Sequence, residues 1–381
     1  MEKFPKITEH IEALKQRVGI PSCGFVIYKN HEKIYEHFSG YMDPEKTKKA
    51  DEKTLYFMFS CTKPMTVTAG LMLWERGLLD LDAPVEKYLP EMADVFLIKD
   101  GERVRPQNTM TVRHLFNMTA GFDYNTNTDP IKEAKKASDK KATTREMLRA
   151  IIASPLSFEP GERFQYSLCH DVLDCVIEAV SGERFADFMK HNIFDPLGMK
   201  NSFFHISEEK KSEMASLYKW DNGNIIEFSK NNGYILTDEY DCGGAGLISC
   251  AEDYVKFADA IACGGVAANG HRLLKKETIE LMRKDALAGY AAHPETFASC
   301  VGGGYTYGLG VRTLADKSFG SKCPIGEFGW DGAAGACFTA DLENGISMFF
   351  VQHLFNWPAA ETGKVHVNLR NVYYEEYADK E

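Results

Sequence analysis

Tyr56-Phe57-Met58-Phe59-Ser60-Cys61-Thr62-Lys63-Pro64-Met65-Thr66-Val67-Thr68-Ala69-Gly70-Leu71-Met72-Leu73-Trp74-Glu75-Arg76-Gly77 reads as an aromatic approach followed by one helix. Pro64 sits where the first turn of a helix tolerates proline, and Gly77 supplies a C-terminal stop, so the spacing predicts a helix starting at Ser60. Apolar residues fall on every side of it, from Met65, Val67 and Ala69 to Leu71, Met72, Leu73 and Trp74. Such a helix is buried all round instead of lying on a surface. A buried helix that begins Ser-Cys-Thr-Lys calls for a reason.

Lys63 follows Ser60 by one helical turn and shares its face, which puts the amine within reach of the hydroxyl. Serine alone is a poor nucleophile. An amine made partly neutral by burial can take its proton, and the backbone N–H groups at the start of a helix suit a developing oxyanion. The bland alternative is a capping serine and a snorkelling lysine. The spacing by itself does not decide, since Ser138/Lys141, Ser207/Lys210 and Ser216/Lys219 repeat it in this chain. Context separates them: the first two lie in polar, charged runs and the third precedes no long apolar helix.

A chain of 381 residues exceeds what one core usually supports, so two lobes are expected. The net charge of −11 comes without a long basic run, which argues against nucleic acid as the main partner. The first ten residues lack a signal-peptide core and no stretch is long and apolar enough to span a bilayer; a cytoplasmic protein without a membrane partner is the expectation. The ten cysteines are scattered, several in apolar segments (Cys23, Cys61, Cys175, Cys263), and read as reduced thiols. No Cys-x-x-Cys or His-Glu-x-x-His occurs and the eleven histidines do not cluster, so neither metal nor cofactor is expected. Phosphate-cradling loops and a Gly-x-Ser-x-Gly elbow are absent too.

Along the chain, a helix over about Ile7 to Val18 precedes a hairpin of strands near Cys23 to Lys29 and Lys33 to Ser39. Helices then follow Thr111 (Val112 to Asn117), Thr143 or Thr144, and Ser167, the last carrying Leu173, Val176, Ile177 and Val180 before Gly182. Ser249 with Glu252 reads as a capping box for a helix ending at Gly264-Gly265. The polar, lysine-rich stretch from Asp123 to Lys141 reads as a mobile surface loop. Strands return at Tyr307 to Leu314, then at Ala336 to Asp341 and Ile346 to His353, the last two joined by Glu343-Asn344-Gly345. A final helix covers Val365 to Tyr377. The fold class is therefore α/β of the α+β kind: an antiparallel sheet built from both chain ends (1–57 and 229–381), flanked by helices, with a mainly helical lobe (58–228) inserted and a site between the lobes.

Several stretches, taken in order, carry a family resemblance: Ser60-x-x-Lys63; Leu78-Leu79-Asp80-Leu81-Asp82-Ala83-Pro84-Val85; Thr111-Val112-Arg113-His114-Leu115-Phe116 leading to Thr119-Ala120-Gly121; Pro160-Gly161-Glu162-Arg163-Phe164-Gln165-Tyr166-Ser167; Gly243-Gly244-Ala245-Gly246-Leu247; and Phe328-Gly329-Trp330-Asp331-Gly332. Each is weak alone. Their order and spacing make the chain similar, over nearly its whole length, to the serine β-lactamase and penicillin-binding-protein superfamily, in the class C-like branch that includes esterases and D-amino-acid peptidases. The resemblance implies that Ser60 forms an acyl-enzyme, that Lys63 is its base or proton relay, and that Tyr166 shares that proton and protonates the leaving group. A core tyrosine is the alternative for Tyr166, because Phe164 and Tyr166 alternate as in a strand. It further implies that Trp330-Asp331-Gly332 is the substrate strand, with Gly332 allowing close approach and the N–H of Ala333 joining that of Ser60 as an oxyanion hole.

Two departures bear on the substrate. Leu168 stands where β-lactamases carry the asparagine of Tyr-x-Asn, and Trp330 replaces a lysine that would complement a carboxylate. Both favour a less polar acyl group, so the resemblance points to an esterase acting on a small-molecule ester, with a D-peptidase, amidase or weak β-lactamase on the same site as the second reading and a non-catalytic binding protein as the third. His170 and Asp171, in the first turn of a helix, are given a structural role. Tyr124, Tyr305 and Tyr307 are candidates for the acyl pocket, with a core or surface position as the alternative for each. The sequence leaves oligomeric state open.

Overall fold

The computed structural model describes residues 4–229, 231–290, 297, 302–358, 360–361 and 363–378. Short, mostly apolar runs build its central sheet. Strands β1 (Ser22–Lys29), β2 (Glu32–Gly40), β3 (Tyr305–Tyr307), β4 (Arg312–Leu314), β5 (Phe328–Asp331), β6 (Cys337–Asp341) and β7 (Ile346–Gln352) lie in the order β2-β1-β7-β6-β5-β4-β3, with every neighbouring pair antiparallel. Strands β1, β6 and β7 are buried along nearly their whole length. The two chain ends meet where β1 pairs with β7, Phe25 facing Phe350 and Val26 facing Phe349.

Period-two alternation sends successive side chains of these strands to opposite faces. Phe25, Ile27, Met348 and Phe350 pack with Ile7, Ile11 and Leu14 of helix α1 (Pro5–Val18) and with residues near the C-terminus such as Leu369 and Tyr373. On the other face Phe349 stacks on Tyr254 with ring centroids 4.2 Å apart. The larger core that includes Phe349 and Tyr254 continues into the helical part of the chain. There the helix read from the opening stretch, α2 (Thr62–Glu75), is buried from Thr62 through Leu73 and packs against α3 (Cys169–Ser181). Tyr254 belongs to α4 (Ala251–Ala262), and Leu369 and Tyr373 to α5 (Val365–Ala378).

Four expectations need correction. Ser60 does not open α2 directly; a single 3-10 turn, Phe59–Cys61, precedes it. Ser249 caps nothing, because it is drawn into a two-residue strand against Tyr56 and its hydroxyl lies 2.8 Å from that of Ser202, so α4 starts after Cys250 without a side-chain cap. Within the stretch read as a mobile loop, Asp129–Ala137 is a helix: Ile131 is buried and Ala134 packs beside it while the lysines stay outside, an amphipathic pattern hidden by the charge count. The strand read over Tyr307 to Leu314 is a tight hairpin, β3 and β4, whose turn closes through Gly308 N–H donating to the Val311 carbonyl at 2.8 Å. The nine described cysteines are all free; Cys300 lies outside the described residues. Among the described residues no helix is long and apolar enough to cross a membrane.

Candidate active site

The turn that carries Ser60 is strained and clamped. Phe59 has φ +46°, a left-handed value that a bulky residue adopts only when its surroundings impose it. They do so here: the Phe59 ring is buried against Phe57, Tyr234, His353 and Phe355, the last at 4.9 Å between centroids. Hydrogen bonds fix the rest of the turn. Thr62 Oγ1 donates to the Phe59 carbonyl (2.6 Å) and accepts from Leu247 N–H (3.1 Å), Tyr254 Oη donates to the Cys61 carbonyl (2.6 Å), and Met58 N–H donates to the Leu247 carbonyl (2.9 Å). Ser60 is thereby presented beside the end of β5, where the Cys61 thiol donates to the Trp330 carbonyl at 3.5 Å.

Lys63 is fully buried, and its Nζ has three partners: the Gly244 carbonyl at 2.7 Å, Tyr124 Oη at 3.1 Å and Ser60 Oγ at 3.3 Å. The Gly243-Gly244 pair is what lets a main-chain carbonyl come so close. A Cβ on Gly244 would sit 2.3 Å from Asp171 Oδ2, and one on Gly243 2.8 Å from Asp174 Oδ2. Those two carboxylates lie in α3 beneath the turn; Asp174 accepts Gly243 N–H (2.7 Å), and Asp171 accepts Tyr240 Oη (2.8 Å) and the Cys242 thiol (3.3 Å). Burial raises the pKa of both acids, most strongly that of Asp174.

Tyr124 and Tyr166 stack with centroids 5.4 Å apart, and Lys63 Nζ lies 4.5 Å from the Tyr166 ring centroid. The lysine therefore meets the hydroxyl of Tyr124 and the face of Tyr166. Trp330 Nε1 donates to Tyr166 Oη at 3.2 Å. Burial, reinforced by the neighbouring Tyr166, holds the Tyr124 phenol well above its ordinary pKa and hence protonated.

These groups surround a cavity of about 540 Å³ bordered by Ser60, Tyr124, Tyr166, Tyr234, Trp330, Asp331, Gly332 and Ala333. Among the sequence-derived residues the structure brings Ser60, Lys63, Tyr124, Tyr166, Trp330, Gly332 and Ala333 together. It does not bring Leu168 or Tyr305 to the cavity. Leu168, the residue before α3, is pulled by its apolar side chain into the helical core. Tyr305 is held on edge strand β3, its hydroxyl accepting from Arg370 Nη2 (3.0 Å) and donating to Glu327 Oε2 (3.3 Å). Tyr307 is buried behind Trp330, edge to face at 5.1 Å. At Gly332 the close neighbour is the Met58 backbone, since a Cβ there would lie 2.4 Å from the Met58 carbonyl oxygen. Asp331 turns its carboxylate to Arg312 Nη1 (3.2 Å) and His366 Nδ1 (3.5 Å); against the effect of burial, the Arg312 charge holds it well below the usual carboxylate range. Sequence reasoning missed Tyr234, which no motif or periodicity marks.

His170 is buried under the site with Nε2 3.3 Å from the Phe116 carbonyl; burial first, and then the charge of Lys63, pull its pKa down to about 3 from 6.5. A depressed histidine pKa means that the unfolded chain takes up the proton first. Its stabilising contribution is complete above pH 6.5 and is lost as pH falls toward 3, at no more than about 1.4 kcal/mol per pH unit. Urea unfolding of wild type and His170→Asn between pH 7 and 4 is expected to show wild type's advantage shrinking as pH falls; a constant difference contradicts a neutral, buried His170.

The family profile described as Beta-lactamase matches residues 7–369, and the chain belongs to that family. It is 26% identical to "Esterase EstB" of Burkholderia gladioli over 95% of this chain and 93% of that protein. It is 28% identical to "Lovastatin esterase" of Penicillium rubens over 72% of this chain and 71% of that protein. A solved structure described as "EstCE1, a hydrolase with promiscuous acyltransferase activity" is 25% identical, with a TM-score of 0.79 over 97% of this chain and 99% of that one.

Proposed function

We propose that the chain is a serine hydrolase that cleaves carboxylic esters through an acyl-enzyme on Ser60. The observation that carries this reading is the Ser60 Oγ, 3.3 Å from the buried Lys63 amine, at the edge of a cavity walled by three tyrosines and Trp330. In the first step Lys63 takes the Ser60 proton as Oγ attacks the ester carbonyl, and the N–H groups of Ser60 and Ala333 hold the oxyanion. Tyr166, which borders the cavity, gives its proton to the departing alkoxide and takes the one held by Lys63 in its place, which leaves the amine neutral for the second step. Tyr124 keeps its own proton and acts by donating to, or accepting from, the Lys63 amine. Water then repeats the sequence on the acyl-enzyme and releases the acid.

The names of the relatives support an ester substrate. So does the wall of the cavity: the described residues that border it include aromatic rings and one carboxylate but no lysine or arginine, and the Lys63 amine lies behind Ser60. A substrate carboxylate of the kind β-lactams and peptide C-termini carry finds no cationic partner among these described residues. The free, mostly buried cysteines support a reducing, cytoplasmic setting.

A substrate panel tests the reading. Short-chain p-nitrophenyl esters are expected to turn over far faster than a chromogenic cephalosporin or a D-Ala-D-Ala peptide. Turnover of the cephalosporin or the peptide alone overturns it.

A further inference from the structure

The sheet enters this site at one more point. Where β7 ends, Gln352 and His353 are both buried, and neither belongs to the reacting groups above. Gln352 Nε2 donates to the Ala334 carbonyl at 2.7 Å and to that of Leu354 at 3.4 Å, while Leu354 N–H donates to the same Ala334 carbonyl at 3.0 Å. Ala334 follows Ala333 in a turn closed by Gly335 N–H on the Gly332 carbonyl (2.8 Å). That turn fits only because Gly335, at φ +98°, has no side chain: a Cβ would lie 1.9 Å from Gln352 Nε2.

His353 reaches the opposite side of the site. Its Nδ1 lies 3.0 Å from the Ala215 carbonyl and so carries the proton, which leaves Nε2 to accept from Phe57 N–H at 2.9 Å. The ring packs on Tyr56, Phe57 and Phe59, with centroids at 5.3, 5.6 and 6.3 Å, and so supports the left-handed Phe59 that precedes Ser60. Gln352, the last residue of β7, and His353, the residue after it, thus hold the segments that carry the two oxyanion donors, one through Ala334 and one through Phe57.

We propose that Gln352 and His353 are positioning residues that set the spacing between the N–H of Ser60 and the N–H of Ala333, and so tune stabilisation of the tetrahedral intermediate. This rests on the esterase reading of the same site. An oxyanion hole contributes only when both donors are held at the place where charge develops, and displacing such a donor by an ångström lowers the rate by about 10²-fold. Burial pulls the His353 pKa down to about 4, consistent with an imidazole that stays neutral so that Nε2 can accept.

Steady-state kinetics on a p-nitrophenyl ester, with a trifluoromethyl ketone as transition-state analogue, test the proposal. His353→Phe keeps a ring but no acceptor, and kcat is expected to fall about 10²-fold with KM nearly unchanged, while the inhibition constant of the ketone rises in parallel. His353→Gln, which keeps an acceptor near the Nε2 position, is expected to recover most of both. Gln352→Met, close in shape but without a donor, is expected to behave as His353→Phe does, and it carries the test if His353→Phe does not fold. Folded variants with wild-type kcat and wild-type ketone affinity overturn the inference, as does a rise in KM alone. Wild type inert towards every ester would instead sink the hydrolase reading, and this inference with it.

Discussion

Ser60→Ala is expected to lower kcat/KM for esters by about 10⁴-fold or more, to the level of residual binding and oxyanion stabilisation. Among the described residues that border the cavity, no second serine or cysteine is there to fall back on. Cys61, the adjacent thiol, is buried with its sulfur on the Trp330 carbonyl, and burial raises its pKa well above the ordinary thiol value, so it stays an inert thiol. The fold should hardly notice the change. Ser60 Oγ accepts only from Lys63 in the described contacts, whereas the turn is fixed by Thr62, Tyr254, Leu247 and the Phe59 ring. Stability is accordingly expected to move by no more than about 0.5 kcal/mol. Ester turnover by Ser60→Ala within tenfold of wild type, about 1.4 kcal/mol in barrier height, would contradict the assignment.

Lys63→Met gives the second large effect. Methionine fills much the same volume, so the loss reports the amine and not a void, and acylation is expected to slow by about 10³-fold or more. Some stability goes with it. The Gly244 carbonyl and the Tyr124 hydroxyl lose their buried partner, which costs about 1–3 kcal/mol. The two tyrosines then rank by position. Tyr166→Phe is expected to slow acylation by about 10²–10³-fold, because its hydroxyl, bound to Trp330 Nε1, is the one assigned to the leaving group. Tyr124→Phe is expected to cost about tenfold, since this buried phenol only orients the amine. Stopped-flow bursts of p-nitrophenol read each acylation rate directly. The reverse ranking would move the proton-transfer role from Tyr166 to Tyr124.

Much of this is legible in the sequence alone. The uniformly apolar run after Lys63 specifies a helix buried on all sides, and α2 is buried from Thr62 through Leu73. The aromatic and β-branched runs of Cys23 to Lys29 and Ile346 to His353 specify strands, and their pairing joins the chain ends. What stayed hidden depends on neighbours distant in sequence. Nothing local shows that Ser249 is taken by a strand partner, or that Ile131 and Ala134 find a core to bury in. The site behaves the same way. Ser60, Lys63, Tyr166 and Trp330 stand in motifs with spacing, whereas Tyr234 comes from an aperiodic loop and reaches the cavity only through the fold. Leu168 and Tyr305 fail as pocket residues for complementary reasons: one is apolar enough to be drawn into the core, and the other has a buried Arg370–Glu327 pair to bind.

The most direct test of an acyl-forming Ser60 is to incubate the protein with a fluorophosphonate and locate the adduct by peptide mass spectrometry. A single stoichiometric adduct on the peptide containing Ser60, abolished in Ser60→Ala and strongly slowed in Lys63→Met, is the expected result. An unlabelled Ser60 in a protein that still hydrolyses esters, or an adduct on another residue, would contradict it.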